Sequence, residues 1–487
     1  MNEFLKEIFC SFCGYKLPPT DRAELSLCPL CKGSLTISYN YEALSEKLNK
    51  DELARRPGGL WKYVELLPLL GDAVVTLGEG GTTLLKCERL GRSIGLRDFY
   101  AKNETTNPTG SFLDRGSSVA VSRLLYAGYK GVVCTAGGNL GASISAYAAK
   151  AGMPCKVYVP KRVDLGKLHQ MVMFGASVEV LEPGSELPER LYGYYHLTPA
   201  DPFFMEGLKT ISYEIAEELS FRAPDVTVVP MGNGGLISMV WKGYLEWRRL
   251  GLIDGSLGRL IGVQVEPVSP IYDKFAGSKA RREPSEEDII FPDIMVKSPL
   301  HAKLALKCLR ESGGGVVLVK PKEVVEAMKF LARYEGIFAE PAGSAAVAGV
   351  KKAVAQGLVD RNELVVCVIT GSGFKDPKAV CEVVDLSREG PIVPLRKRPT
   401  RIGRTKLMIL EMLLRNESYG YEIAQRLRRE KRLRTTVANV YQHLRELERA
   451  GYVAVSGIVV VRGRKRKKYK ITKKGEWALK LYYGESL

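Results

Sequence analysis

Four cysteines near the start of the chain stand as two pairs, Cys10-Ser-Phe-Cys13 and Cys28-Pro-Leu-Cys31, with 14 residues between them. A CxxC turn delivers two thiolates from one tight loop, and two such turns complete a tetrahedral zinc site. Disulfide pairing is the weaker reading in a reducing compartment. Four protein ligands leave no open coordination position, so zinc held here is structural. Gly14 and Gly33 fit the knuckle turns that follow such pairs. The other six cysteines, Cys87, Cys134, Cys155, Cys308, Cys367 and Cys381, lie scattered among apolar residues and read as small core side chains. None of the four histidines has metal-ligand spacing, and none is given a catalytic role.

Three glycine-bearing turns form a second group. They are Thr135-Ala-Gly-Gly-Asn139, Pro230-Met-Gly232-Asn233-Gly234-Gly235 and Thr370-Gly-Ser-Gly-Phe-Lys-Asp376. Each follows an apolar run and precedes a stretch of helical period, which aims free backbone N–H groups at an anion. Gly232 to Gly235 is the best phosphate cradle of the three. Any one of them also suits a packing turn.

The elements that must position these groups come from the apolar pattern. Short runs at 131–135, 155–159, 177–181, 226–229, 260–265 and 364–369 alternate with amphipathic stretches such as 143–151 and 208–219. Strands of continuous apolar character separated by helices predict parallel sheets in an α/β body. The expected organisation is a zinc ribbon over 1–40, a connecting segment over 41–80, the α/β body over 81–390, a proline-rich linker over 391–402 and a terminal module over 403–487. No apolar run approaches the length of a membrane span, and no apolar signal core follows the N-terminus, so the chain is expected to be cytoplasmic.

Charge is partitioned sharply. The formal net charge is +18, yet residues 396–487 hold 25 basic and 8 acidic residues, leaving residues 1–395 close to neutral. A basic module on a neutral body predicts a polyanionic partner. Helical patterns begin near Thr405 and Ser418, with Ser418 as the expected N-cap of the second, and a third runs over 436–450 to Gly451. Val437, Val440, Tyr441, Leu444 and Leu447 form the apolar stripe of that third helix, leaving Asn439, Gln442, His443 and Arg445 to face outward. Amides pair with adenine edges and guanidinium groups with guanine or phosphate, as a major-groove helix requires. A strand over 452–456 leads to a loop bearing Arg464, Lys465, Arg466, Lys467 and Lys468, suited to lie along phosphates as a wing. Use of such a module for protein contacts is the alternative.

The body carries a resemblance. The runs Leu77-Gly-Glu-Gly-Gly-Thr-Thr-Leu84, Lys102-Asn-Glu-Thr-Thr-Asn-Pro-Thr-Gly-Ser-Phe112, Asn139, the Gly232–Gly235 turn, Glu340-Pro-Ala-Gly-Ser-Ala-Ala346 and Thr370-Gly resemble threonine synthases of the fold-type II pyridoxal-phosphate family. The resemblance covers about 1–385 and implies a two-subdomain, tryptophan synthase β-like body. It also implies that Gly232, Asn233, Gly234 and Gly235 hold the cofactor phosphate, that Asn139 bonds the ring hydroxyl oxygen, and that Thr370 faces the pyridine nitrogen. The family motif Ser-Phe-Lys-Asp-Arg-Gly carries the lysine that bonds the cofactor; here the run is Ser111-Phe112-Leu113-Asp114-Arg115-Gly116. Leucine has no amine to bond an aldehyde or shuttle a proton. The hydroxyl residues that the family carries before its asparagine are replaced by Ala136, Gly137 and Gly138.

In the terminal module Tyr419-Gly-Tyr-Glu-Ile423, Val440-Tyr-Gln-His-Leu444, Leu447-Glu-Arg-Ala-Gly451 and Lys468-Tyr-Lys-Ile-Thr472-Lys-Lys-Gly475 resemble PadR-type winged-helix regulators. Together the two resemblances imply a homodimeric regulator of double-stranded DNA whose body senses a ligand. That ligand is pyridoxal phosphate held non-covalently, an amino acid, or their adduct. One alternative is an active lyase in which Lys102 or Lys375 replaces the missing amine; another is a non-catalytic subunit supporting an active paralogue.

Overall fold

The computed structural model describes residues 2–19, 24, 26–69, 73–135, 138–161, 163–181, 191–277, 285, 288–377, 403–430, 433, 435–461 and 463–483. The chain divides into two compact units, Met1–Asp385 and Leu386–Leu487. The linker expected over 391–402 lies outside the described residues, as do Cys381, Ala136 and Gly137.

The first unit opens with an antiparallel sheet of β1 (Leu5–Cys10), β2 (Lys16–Leu17) and β3 (Leu35–Tyr39), in the order β2-β1-β3. Leu35, Ile37 and Tyr39 alternate with half-buried residues along β3, so one face packs and the other stays accessible. The packed face joins the core of the body, where Ile8 and Ile37 are fully buried.

The body follows with β4 (Leu84–Lys86), β5 (Asp98–Asn103), β6 (Gly131–Cys134), β7 (Cys155–Pro160), β8 (Ser177–Leu181), β9 (Tyr194–Leu197), β10 (Val226–Pro230), β11 (Arg259–Val265), β12 (Gly315–Val319) and β13 (Leu364–Ile369). They sort into a six-stranded sheet, β12-β11-β10-β13-β5-β4, and a four-stranded sheet, β8-β7-β6-β9. All pairings are parallel except β4 with β5. The central strands bury every residue or nearly so, because helices cover both faces. All six apolar runs read from the sequence are strands. The helix expected over 208–219 is Thr210–Glu218; a separate helix, Pro202–Leu208, capped by Asp201 and with Pro202 at its first position, precedes it across Lys209.

The second unit has helices Arg404–Arg415, Gly420–Glu430, Val437–Arg449 and Lys473–Tyr483 around a small sheet. Its strands are β14 (Ser418–Tyr419), β15 (Val453–Val461) and β16 (Arg464–Ile471), in the order β14-β16-β15. Leu407, Leu410, Ile423, Leu427, Val440, Leu444, Leu447 and Tyr469 form its core. Ser418 is not an N-cap: it pairs with Tyr469 in the sheet, and the second helix begins at Gly420. The predicted basic loop is instead half of a long hairpin, since Lys465 and Arg466 pair with Val460 and Val459.

Candidate functional site

The four cysteine sulfurs lie within 4.8 Å of one another. Cys10 and Cys31 are 3.4 Å apart and Cys13 and Cys28 3.6 Å. Tetrahedral zinc–thiolate bonds of about 2.3 Å place sulfurs about 3.8 Å apart, so the set fits such an ion. A Cβ on Gly33 would meet the Phe12 ring at 2.7 Å and the sulfurs of Cys31 and Cys10 at 3.1 and 3.2 Å, which explains glycine beside the second pair.

The body's other candidates converge because parallel strands end on one side. β5, β6, β10 and β13 lead respectively into the segment before Leu113, the turn before Asn139, the Gly232–Gly235 turn and Thr370. A cavity of about 230 Å³ is lined by Leu113, Asn139, Gly232, Asn233, Gly234, Gly235, Asp293, His301, Glu340 and Thr370, among others. Every cofactor residue expected from the sequence is in its wall, and so is Leu113, at the start of helix Leu113–Ala127.

The glycine turn is shaped from outside as well as within. Gly234 has a φ of +81°, and a Cβ on Gly232 would meet the Asp293 carbonyl oxygen at 2.9 Å. Helix Gly235–Arg249 begins there, with its first N–H groups unpaired within the helix. Asn233 turns its polar groups to the segment entering helix Ala302–Glu311: its carbonyl oxygen accepts from the His301 N–H at 2.9 Å, and its Oδ1 from the Leu300 N–H at 3.3 Å. His301 is buried, which pulls its imidazole down to about 4 and keeps it neutral. Nε2 donates to the Pro199 carbonyl at 3.3 Å, so Nδ1 accepts from the Ser34 hydroxyl at 2.8 Å. Ser34 stands three residues after Cys31, so the cysteine cluster is tied to the glycine turn. Sequence spacing gives no sign of this contact between residues 267 positions apart. Removal of metal by a chelator should therefore lower the melting temperature of the first unit by about 5 °C or more. Hydrogen exchange should also rise at 232–235 and 300–305; unchanged exchange there would show that the two sites are independent.

Asn139 donates both amide hydrogens to Glu340, at 2.8 and 3.0 Å, while its buried Oδ1 has no partner among the described residues. Burial pushes the Glu340 carboxyl up to about 7, partly offset by Lys167, whose Nζ is 3.9 Å away. Burial opposes the charge of Lys167, but Asp293, Glu340 and Asp164 outweigh it and hold the ammonium above its ordinary range. Spacing pointed to neither Lys167 nor Asp293. Lys102 is fully buried between Glu214 at 2.9 Å and Glu218 at 2.6 Å, a structural lysine outside the cavity wall. Lys375 donates to the Thr109 carbonyl at 2.6 Å and to Gln170 Oε1 at 2.8 Å; burial pulls its ammonium down to about 8.

In the second unit Asn439, Gln442 and Arg445 are exposed on helix Val437–Arg449, and His443 is half-buried. Thr436 caps this helix, accepting from the Asn439 N–H at 3.2 Å. Gln442 Nε2 donates to Glu446 at 3.2 Å, which leaves its amide oxygen for another donor. Strand alternation divides the basic run: Lys465 and Lys467 are exposed, whereas Arg466 stacks over Tyr421 at 4.8 Å and Lys468 lies 3.4 Å from Glu417.

Residues 75–371 match the family described as pyridoxal-phosphate dependent enzymes, and residues 409–481 match the PadR-like family of transcriptional regulators. The chain belongs to the pyridoxal-phosphate dependent enzyme family. It is 40% identical over 361 residues to a threonine synthase of Methanocaldococcus jannaschii, covering 72% of this chain and 88% of that one. A Mycobacterium tuberculosis threonine synthase is 36% identical over 350 residues, 70% of this chain and 94% of its own. Among solved structures, the processed form of threonine deaminase isoform 2 from Solanum lycopersicum aligns with a TM-score of 0.53 at 20% identity, over 68% of this chain and 96% of that one. The last of these shows the fold alone. The chain is thus a fold-type II body, homologous to threonine synthases, joined to a PadR-type domain and preceded by a four-cysteine cluster. No helix among the described residues is long and apolar enough to cross a membrane.

The residues lining this cavity suit a phosphate-bearing cofactor such as the family's. The glycine turn offers N–H donors with no room for side chains, and Asn139 has an unused acceptor. Pyridoxal phosphate, when bound, supplies an electron-accepting ring. At residue 113 the wall offers an aliphatic side chain and no amine.

Proposed function

We propose that this chain is a DNA-binding transcription regulator whose threonine-synthase-like body holds a ligand without turning it over. The observation that carries the reading is Leu113 in the wall of a cavity whose glycine cradle is intact. Gly232, Asn233, Gly234 and Gly235 cradle an anion, while Asn139 and Thr370 meet the rest of the ligand. Zinc at Cys10, Cys13, Cys28 and Cys31 holds the ribbon of residues 1–40. Residues 41–80 connect it to the body over 81–390, and residues 391–402 link that body to the winged helix over 403–487. Asn439, Gln442, His443 and Arg445 read bases, while Lys465 and Lys467, with Arg464, Arg466 and Lys468, serve phosphate contact or support. Ligand affects DNA affinity to the extent that it binds one state of the dimer better than the other.

The test is a gel-shift titration with genomic fragments, including the chain's own upstream region, at several salt concentrations. Sequence-selective binding is expected. Lys467→Ala should weaken binding to all sequences and reduce the salt slope by about one. Asn439→Ala should instead alter the preferred sequence. Absence of any sequence preference would remove the reading.

A catalytic role has one feature in its favour: Lys375, outside the cavity wall and bonded to Thr109 and Gln170, is buried within the electrostatic reach of the wall residue Glu340, and burial lowers its ammonium to about 8. On that reading, borohydride reduction in the presence of pyridoxal phosphate labels Lys375, and phosphate is released from O-phosphohomoserine.

A further inference from the structure

The cavity has one end built for an anion and another that lacks a donor. At the first lie the N–H groups of the Gly232–Gly235 turn and the start of helix Gly235–Arg249. At the second lie Asn139 Oδ1, buried and without a partner among the described residues, and the carboxyl groups of Glu340 and Asp293. Asn139 is only 6% exposed, its amide hydrogens are both committed to Glu340, and its oxygen has no donor among the described residues, which leaves it open to a donor from a ligand. The acidic groups of this cluster are Glu340, Asp293 and Asp164, and they share the ammonium of Lys167. Lys375 acts on Glu340 only from a distance, since its own hydrogen bonds go to Thr109 and Gln170. Leu113 contributes no cation to the wall. Of these carboxylates Glu340 is buried, and a buried carboxylate short of positive charge is costly, so a ligand that brings a cation with hydrogens to donate offsets the cost.

We propose that the cavity selects an organic phosphate carrying a protonated primary amine, with the phosphate at the Gly232–Gly235 turn and the ammonium at Asn139 Oδ1 and Glu340. This deepens the regulatory reading and rests on it for the absence of turnover. The aldehyde group of pyridoxal phosphate has no hydrogen to give Asn139 and no charge to offer Glu340; its ring hydroxyl can still donate to Asn139 Oδ1, so what pyridoxal phosphate lacks at this wall is the cation, and it is the poorer ligand on that account. Two sources share the preferred chemistry: an aminomethyl-pyridine phosphate, and a phosphorylated amino acid.

The experiment is calorimetric titration of the full-length chain with pyridoxamine 5′-phosphate, pyridoxine 5′-phosphate and pyridoxal 5′-phosphate. O-phosphohomoserine and its N-acetyl derivative form the second arm. The amine should bind at least tenfold more tightly than the alcohol of the same ring, or the free amino acid tenfold more tightly than its acetylated form; whichever arm shows it names the source. Inorganic phosphate should compete. In Glu340→Gln the preference should fall to about twofold or less, and Asp293→Asn serves the same purpose if the first variant does not fold. Equal affinities for amine and alcohol and for free and acetylated amino acid, no binding in either arm, or selectivity that survives both substitutions would each overturn the inference. Gel shifts on the same preparation keep the failures apart. Selective DNA binding without amine selectivity sinks this inference alone, and amine selectivity without DNA binding sinks the regulatory reading alone.

Discussion

Replacement of Arg115 by leucine should unfold the first unit at temperatures that leave the second intact. Arg115 is fully buried two residues beyond Leu113. Its Nε donates to Glu104 at 2.7 Å, and its terminal nitrogens reach Glu214 at 2.6 and 2.7 Å, Glu104 at 2.8 Å, Thr210 at 3.0 Å and Thr82 at 3.1 Å. Burial disfavours the Glu214 carboxylate, but Arg115 and Lys102 outweigh it and hold the carboxyl well below its ordinary range. Without the guanidinium, buried Glu104 keeps the donors of Thr82 and Asn107 but loses its cation, and Glu214 keeps Lys102, which it shares with Glu218. Removal of one partner from a buried pair costs about 3–5 kcal/mol, a large fraction of the 5–15 kcal/mol by which domains are stable. Arg115→Lys keeps the charge and loses the forked geometry, so its loss should be smaller. The pH dependence has a definite sign. Because the native carboxyl of Glu214 is depressed, its stabilisation is present above the ordinary carboxylate range and is lost as pH falls below it. The gap between wild type and Arg115→Leu should therefore narrow on acidification. Calorimetry of the whole chain, with a transition for each unit, checks both statements. Equal melting of the first unit in variant and wild type at neutral pH would contradict them.

This network bears on how much could be read from the sequence. The parallel strands were legible because continuous apolar runs such as 226–229 and 364–369 have few uses other than a doubly covered sheet. The four cysteines were legible because their spacing is itself the geometry of the site. Contacts between remote positions were not. Glu104, Glu214 and Lys102 carry no mark of joining Arg115 in one network; residue type suits Lys102 to a structural role better than to that of a substitute amine, but its carboxylate partners are not legible in the sequence. His301 was set aside as a lone histidine, yet it connects Ser34 to Asn233. Ser418 fitted an N-cap by residue type, but pairing with β16 claimed its backbone first. In the basic run composition gave the charge, while strand alternation decided that Lys465 and Lys467 face solvent and Arg466 covers Tyr421.

The change with the largest chemical effect is Leu113→Lys. Residue 113 is half-buried in the cavity wall, at the head of a helix whose next two side chains are fixed. Asp114 accepts from the Thr109 N–H and hydroxyl at 2.7 and 2.6 Å and from the Ser143 hydroxyl at 2.6 Å, and Arg115 is held as described. The scaffold around residue 113 is therefore built, and a flexible chain of four methylenes enters existing space in place of a branched one. With pyridoxal phosphate and borohydride, wild type should yield no covalent label, whereas Leu113→Lys should approach one label per chain, confined to the peptide carrying residue 113. Retention of cofactor through gel filtration should rise by at least tenfold, because a covalent bond is added to the same non-covalent contacts. Label on Lys375 or Lys167 in wild type would instead establish a displaced amine and revive the catalytic reading. A folded Leu113→Lys that takes no label would show that the cavity does not present pyridoxal phosphate to residue 113. The pair of outcomes separates a site that lost one group from a site rebuilt for another ligand: if one substitution restores capture, the remaining wall still suits the cofactor. If capture fails while amine-bearing phosphates bind, the wall around Asn139 and Glu340 has replaced the old specificity with its own.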